Sequence, residues 1–148
     1  MKTINALYAS AMVFFLCLIN PSLAHAQESS VTISNIRSAK GQIILNVFKD
    51  SESYEKEIVL KKFVFDKKAI ANGKMTVNFV FEPGVYGITL IDDENKNNEL
   101  NKNILGIPKE GFGFSNFFME KMKKPDFNDF KVDLRNNKNK ISIKVKYM

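Results

Sequence analysis

Asp93, Asn95, Asn97, Glu99 and Asn101 stand at alternate positions of one polar segment, and they carry the clearest capacity for chemistry in this sequence. Carboxylate, amide and backbone carbonyl oxygens in such succession are what a hard cation such as calcium takes as ligands. Asp93, Asn95, Asn97 and Asn101 would bind through their side chains and Glu99 through its carbonyl. Only Asp93 brings a charge to that set, and the position where a full EF-hand loop has its bidentate Glu is Ile104. Glu110 or Asp92 would have to complete the shell from outside the loop. The same short side chains also form Asx-turns and cap backbone groups without any metal. The segment therefore reads as a weak calcium site or as a set of hydrogen-bonded turns, and no cofactor is required.

A second group follows closely: Lys109, Glu110, Phe112, Phe114 and Asn116, among Gly106, Gly111 and Gly113. Phe112 and Phe114 share one side if this part is extended. They serve either as a buried plug or as an exposed surface beside Lys109 and Asn116, with Glu110 as an orienting group, able to stack on a sugar or insert into a protein. Gly111-x-Gly113 lacks the further glycines and the Lys-Ser/Thr pair of a phosphate cradle. A short helix over Asn116–Met122, capped by Ser115 or Asn116, is expected next.

Catalysis has little to draw on. The one His and the one Cys, His25 and Cys17, fall in a leader: Lys2 is its positive start, Ala6–Ile19 its apolar run, and Ala24-His25-Ala26 its small-x-small cleavage site. Cleavage after Ala26 leaves 122 residues with no His, no Cys and no possible disulfide, and loss of Lys2 takes the net charge from +6 to +5. Triads, thiol nucleophiles and conventional zinc sites are excluded from that mature chain. Asp93 with Glu110 is the carboxylate pair to inspect for glycoside hydrolysis, which would need a fixed separation and unequal environments. The chain is read as a non-enzyme, exported, with the periplasm preferred and an extracellular location the alternative.

Period-two alternation must position these residues. Strands are expected from Val31, over Ile43–Val47, within 57–66, over Met75–Phe81 after the Asn72-Gly73 turn, over Val85–Ile91, over Phe127–Leu134 and over Ile141–Tyr147. About seven short strands with no long helix mean an all-β sandwich or open barrel in one domain, residues 27–148, with 1–26 as signal peptide. The stretch Asp92–Pro125 exceeds an ordinary hairpin connection, and its glycines and phenylalanines make it an ordered one. Lys140, Ser142, Lys144 and Lys146 share the outer face of the last strand, and Lys61 and Lys62 would join them if a basic patch exists. Nucleic acid is not expected, because no aromatic-basic repeat is present.

From Asp92 to Asn103, and on through Gly106-Ile107-Pro108-Lys109-Glu110-Gly111-Phe112-Gly113-Phe114-Ser115-Asn116, the sequence resembles the secreted bacterial family of unknown function called DUF2141. Glu82-Pro83-Gly84-Val85-Tyr86 and Pro125-Asp126-Phe127 extend the resemblance over nearly the whole mature chain. It implies an immunoglobulin-like or transthyretin-like sandwich and no defined catalytic activity. The family commonly has Gly where this chain has Lys96 and Asn98, and Asp where it has Asn101, which lowers the charge of the loop. The resulting expectation is a monomeric binding module that contacts an unknown protein or glycan through residues 92–118. The alternative is an accessory domain that uses a sheet edge and packs the same connection internally.

Overall fold

The computed structural model describes residues 26–148, so the signal peptide expected over 1–26 lies outside the described residues except for Ala26. Eight strands form two sheets, so the all-β fold that the alternation predicts is the sandwich and not the barrel. The strands are β1 (Gln27–Ser34), β2 (Gln42–Phe48), β3 (Lys61–Asp66), β4 (Met75–Phe81), β5 (Val85–Asp93), β6 (Gly111–Phe114), β7 (Lys131–Asp133) and β8 (Lys138–Lys144). One sheet has the order β4-β1-β8, with β1 and β8 parallel. The other has the order β3-β2-β5-β6, and β7 pairs with the start of β5 on the side that β6 occupies further along.

Alternate residues of each strand meet between the sheets. Val31 and Ile33, Ile43, Leu45 and Val47, Val77 and Phe79, Ile88 and Leu90, and Ile141 and Ile143 are buried there. Each full burial contributes about 1.5–3 kcal/mol. β2 is buried on both faces, because Ile44 and Phe48 of the opposite parity are covered as well. Phe48 belongs to a second, aromatic layer in which it packs with Tyr54, Phe112, Phe114, Met119, Phe127 and Phe130. The long connection thus folds back over the outer face of its own sheet.

Several elements differ from the sequence expectation, each for a local reason. The connection contains a strand, β6, whose Gly111 and Gly113 lie so close to the last strand that added methyls would meet Val145, Tyr147 and Ile143. Phe127–Phe130 form a helical turn, α2, because Asp126 and Asp129 hydrogen-bond reciprocally around its start. Asp50 and Ser53 do the same for α1 (Ser51–Glu55), which the strand pattern concealed. The helix expected at Asn116–Met122 does not form. Asn116 takes a left-handed φ of 52° and pairs with Ser142 through its N–H and side-chain oxygen, at 2.8 and 2.9 Å.

These pairings, with the Phe112–Lys146 bridge, stitch β6 to β8 along one side of the sandwich. The other side is open among the described residues: there β3 pairs only with β2 and β4 only with β1, and Phe63 stacks on Phe79 between them at 4.7 Å. β8 and β3 therefore lie on opposite sides, so Lys140, Lys144 and Lys146 do not form one patch with Lys61 and Lys62. Lys144 instead lies over the Phe118 ring at 4.4 Å, and Lys146 donates to the Met119 carbonyl at 2.6 Å.

Candidate functional site: the connection between β5 and β6

β5 runs off its sheet at Asp93, and the geometry of the loop follows from that buried carboxylate. Asp93 Oδ1 accepts from Asn97 N (3.1 Å), and Oδ2 accepts from Asn98 N (2.9 Å) and Gln42 Nε2 (2.7 Å). Lys96 and Asn98 take the left-handed conformation, with φ of 61° and 67°. These are the two positions where the resemblance implies Gly. Asn97 closes an Asx-turn onto Glu99 N (3.1 Å), and Asn101 Oδ1 accepts from both Asn95 Nδ2 and Asn97 Nδ2 at 2.7 and 2.9 Å. Buried Glu110 ties the two ends together by accepting Glu94 N at 3.2 Å and Asn101 N at 3.0 Å.

The five oxygen-bearing residues are thus brought into one loop, but the side-chain oxygens of Asp93, Asn95, Asn97 and Asn101 face donors of the protein itself. Among the described residues, no group of three or more His, Cys, Asp or Glu is placed to hold a metal ion. A calcium ion at Asp93 would have to share a carboxylate that already accepts three hydrogen bonds, one at Oδ1 and two at Oδ2. Asp93 and Glu110, the pair to inspect for hydrolysis, are both buried and bound to backbone N–H groups.

A charged network holds the base of this loop. Lys67 and Asp92 form an ion pair with both side chains wholly buried. The Lys67 ammonium hydrogen-bonds to the Lys40 carbonyl at 2.7 Å, and Asp92 Oδ2 accepts the Tyr147 hydroxyl. Burial first, then that hydrogen bond, pushes the Tyr147 hydroxyl well above its ordinary range, so it remains a donor. Arg37 lies over the Tyr147 ring at 4.4 Å and grips Glu94 through two nitrogens at 3.0 and 2.6 Å. Its hydrogen bond is the main cause of the lowered pKa of the Glu94 carboxyl.

Beyond Asn101 the chain makes a small hairpin. Lys109 N donates to the Asn101 carbonyl (2.8 Å), Asn103 N to Ile107 O (2.9 Å) and Gly106 N to Asn103 O (2.9 Å). Asn103 Oδ1 also accepts Leu105 N and Ile107 N at 2.9 and 3.0 Å. The turn is closed by Gly106 at a φ of 76°, the usual way a four-residue turn is joined to a bulge. Its corner residues are Ile104 and Leu105, 101% and 77% exposed.

A profile of the family described as "Uncharacterized protein conserved in bacteria (DUF2141)" matches residues 31–142. The chain belongs to DUF2141. Neither the curated proteins nor the solved structures yield a match. The matched span of this DUF2141 chain includes the whole connection but stops before Tyr147, which anchors its base.

The second group of candidate residues is divided among three places. Lys109 and Glu110 line a depression of about 470 Å³ with Glu94, Asn95, Asn101 and Lys102. Phe112 and Phe114 are buried in the aromatic layer, so an exposed stacking surface is not what these two rings make. Asn116 lies against β8. Ser115 caps no helix: it is buried, accepts Ile88 N at 3.2 Å and donates to the Phe130 carbonyl at 2.5 Å.

Two features escaped sequence reading. The Lys67–Asp92–Tyr147 network joins residues far apart in the chain and has no local signal. The exposed tip had one: Asn at the first and Gly at the fourth position of a turn place Ile104 and Leu105 at its corners.

Proposed function

We propose that this DUF2141 protein is a non-catalytic, exported binding module whose contact element is the connection between β5 and β6. The observation that carries this reading is the pair Ile104 and Leu105, held in solvent on a hairpin whose every turn is closed by a hydrogen bond. Apolar side chains left singly on a surface need no explanation, but two at the corner of a rigid hairpin gain nothing from the fold they belong to. Because the hairpin is ordered before contact, little conformational entropy remains to be lost on binding. Calcium enters this reading only as a weak ligand that shares Asp93 with the loop's own amides.

A second reading has its own support at the β3 edge of the sandwich. Ile58, Leu60 and Val64, 60%, 50% and 49% exposed, run into and along the open edge strand β3. Exposed edges of that kind pair readily with another chain.

One experiment separates the two. A photoreactive benzoylphenylalanine is placed at Leu105, at Val64 or at exposed Asn136, and intact native cells are irradiated. A discrete adduct from position 105, lost on Ile104→Ser and absent at 136, is the expected result. An adduct from position 64 alone would transfer the contact to the sheet edge.

A further inference from the structure

We infer that the surface this hairpin meets is an anionic lipid bilayer, an inference that rests on the connection being the contact element. The tip is convex. Ile104 and Leu105 project alone, and their hairpin neighbours Ile107 and Pro108 are only half-buried behind them. A fluid apolar layer accepts such a tip without a preformed pocket.

The charge around the tip matches that layer. Residues 101–109 contain Lys102 and Lys109 and no acidic residue. Both lysines are exposed, and the bridge between Lys102 and Pro108 keeps them at the foot of the hairpin. Long lysine stems lie along apolar surface while their ammonium groups stay at headgroup level. Of the acidic groups of the connection, Glu94 is gripped by Arg37 and Glu110 accepts two backbone N–H groups, while Glu99, three residues before Lys102, is exposed. Arg37, its charge balanced by Glu94, also reaches the Lys109 carbonyl at 3.4 Å and so ties the foot of the hairpin to the base of the loop.

The hydrogen bonds explain why such a tip needs a rigid base. In the bilayer interface an unsatisfied backbone amide is costly, and this turn satisfies the Leu105, Gly106 and Ile107 amides internally. Two apolar side chains and two lysines give a shallow, reversible attachment, well short of permanent anchoring. No helix among the described residues is long and apolar enough to cross a membrane, so attachment of this kind would come from the surface.

The test is sedimentation of mature protein with 100 nm vesicles of phosphatidylglycerol and phosphatidylcholine in equal parts, against phosphatidylcholine alone, at about 20 and 500 mM salt. Binding to the anionic vesicles at low salt is expected, weakened at least tenfold by high salt or by neutral lipid. Ile104→Ser with Leu105→Ser should lower the partition coefficient at least thirtyfold, and Lys102→Gln with Lys109→Gln about tenfold, with the salt dependence reduced. All four positions face solvent, so an unchanged circular dichroism spectrum and unfolding midpoint verify the fold of each variant. Wild-type protein that stays in the supernatant with anionic vesicles at low salt overturns the lipid inference. If position 105 still cross-links to a protein in cells, the contact element stands and only its partner changes. If position 105 gives no adduct either, the contact reading falls as well.

Discussion

Replacing Lys67 by Met is expected to destabilise the protein by about 3–5 kcal/mol, among the largest single-residue effects in this fold. The ammonium and the Asp92 carboxylate are both fully buried, so removing one leaves the other as an uncompensated charge. Tyr147 can still donate to Asp92, but one neutral hydroxyl does not replace a cation. The loss is large against the 5–15 kcal/mol by which domains of this kind are usually stable. Asp92→Asn added to Lys67→Met removes the stranded charge and should recover about half of the loss. Urea unfolding of the parent, the single and the double variant checks this. A Lys67→Met protein within about 1 kcal/mol of the parent would show that the pair contributes little. The consequence reaches the candidate site, because Lys67, Lys40, Asp92 and Tyr147 tie the turns at this end to the base of the connection.

The second large effect is steric. Gly41 has a φ of 83°, and a methyl there would lie 2.0 Å from the Asp93 carbonyl oxygen and 2.5 Å from Glu94 Cα. Both are backbone atoms at the start of the loop, so the clash cannot be relieved by a side-chain rotation. Gly41→Ala should therefore cost more than about 3 kcal/mol, combining left-handed strain with displacement of β5. Gly106 has a similar φ of 76° but open space around it, so Gly106→Ala isolates the conformational part, about 1–2 kcal/mol. Equal losses in the two variants, measured by denaturant unfolding, would contradict the assignment of Gly41 to close packing against Asp93.

Much of this architecture was legible because strands carry their own pattern. The alternation over Met75–Phe81 matches a strand in which Met75, Val77 and Phe79 face the core and Thr76, Asn78 and Val80 face solvent. Asn72-Gly73 marked its turn, and both residues take positive φ. Reading failed where local hydrogen bonds competed with the pattern. Phe127–Leu134 alternates like a strand, yet Asp126 and Asp129 cap a helical turn there. Ile58–Leu60 are apolar but precede β3 and stay exposed, although Leu60 N already donates to the Val47 carbonyl of β2 at 2.9 Å.

At the site, the polar loop was visible from its spacing, whereas the choice between metal and hydrogen bonds was not. That choice depends on where the Asn97 and Asn98 amides point, and this is set by the left-handed residues Lys96 and Asn98. The burial of Phe112 and Phe114 depended on a partner layer, Phe48, Tyr54 and Phe130, that no local sequence signal connects to them.

The central claim is that the protein's own hydrogen bonds order the connection and hold the tip rigid. Amide hydrogen exchange of metal-stripped mature protein tests it most directly, read at Asn97, Asn98, Glu99, Asn101, Leu105 and Ile107 with and without calcium. Each of these amides donates to a side-chain oxygen of the same connection. The predicted result is protection at all six without the ion and no gain on adding it. Exchange at unstructured rates without calcium, with protection appearing as calcium is added, would contradict the account and make the loop a cation-ordered one.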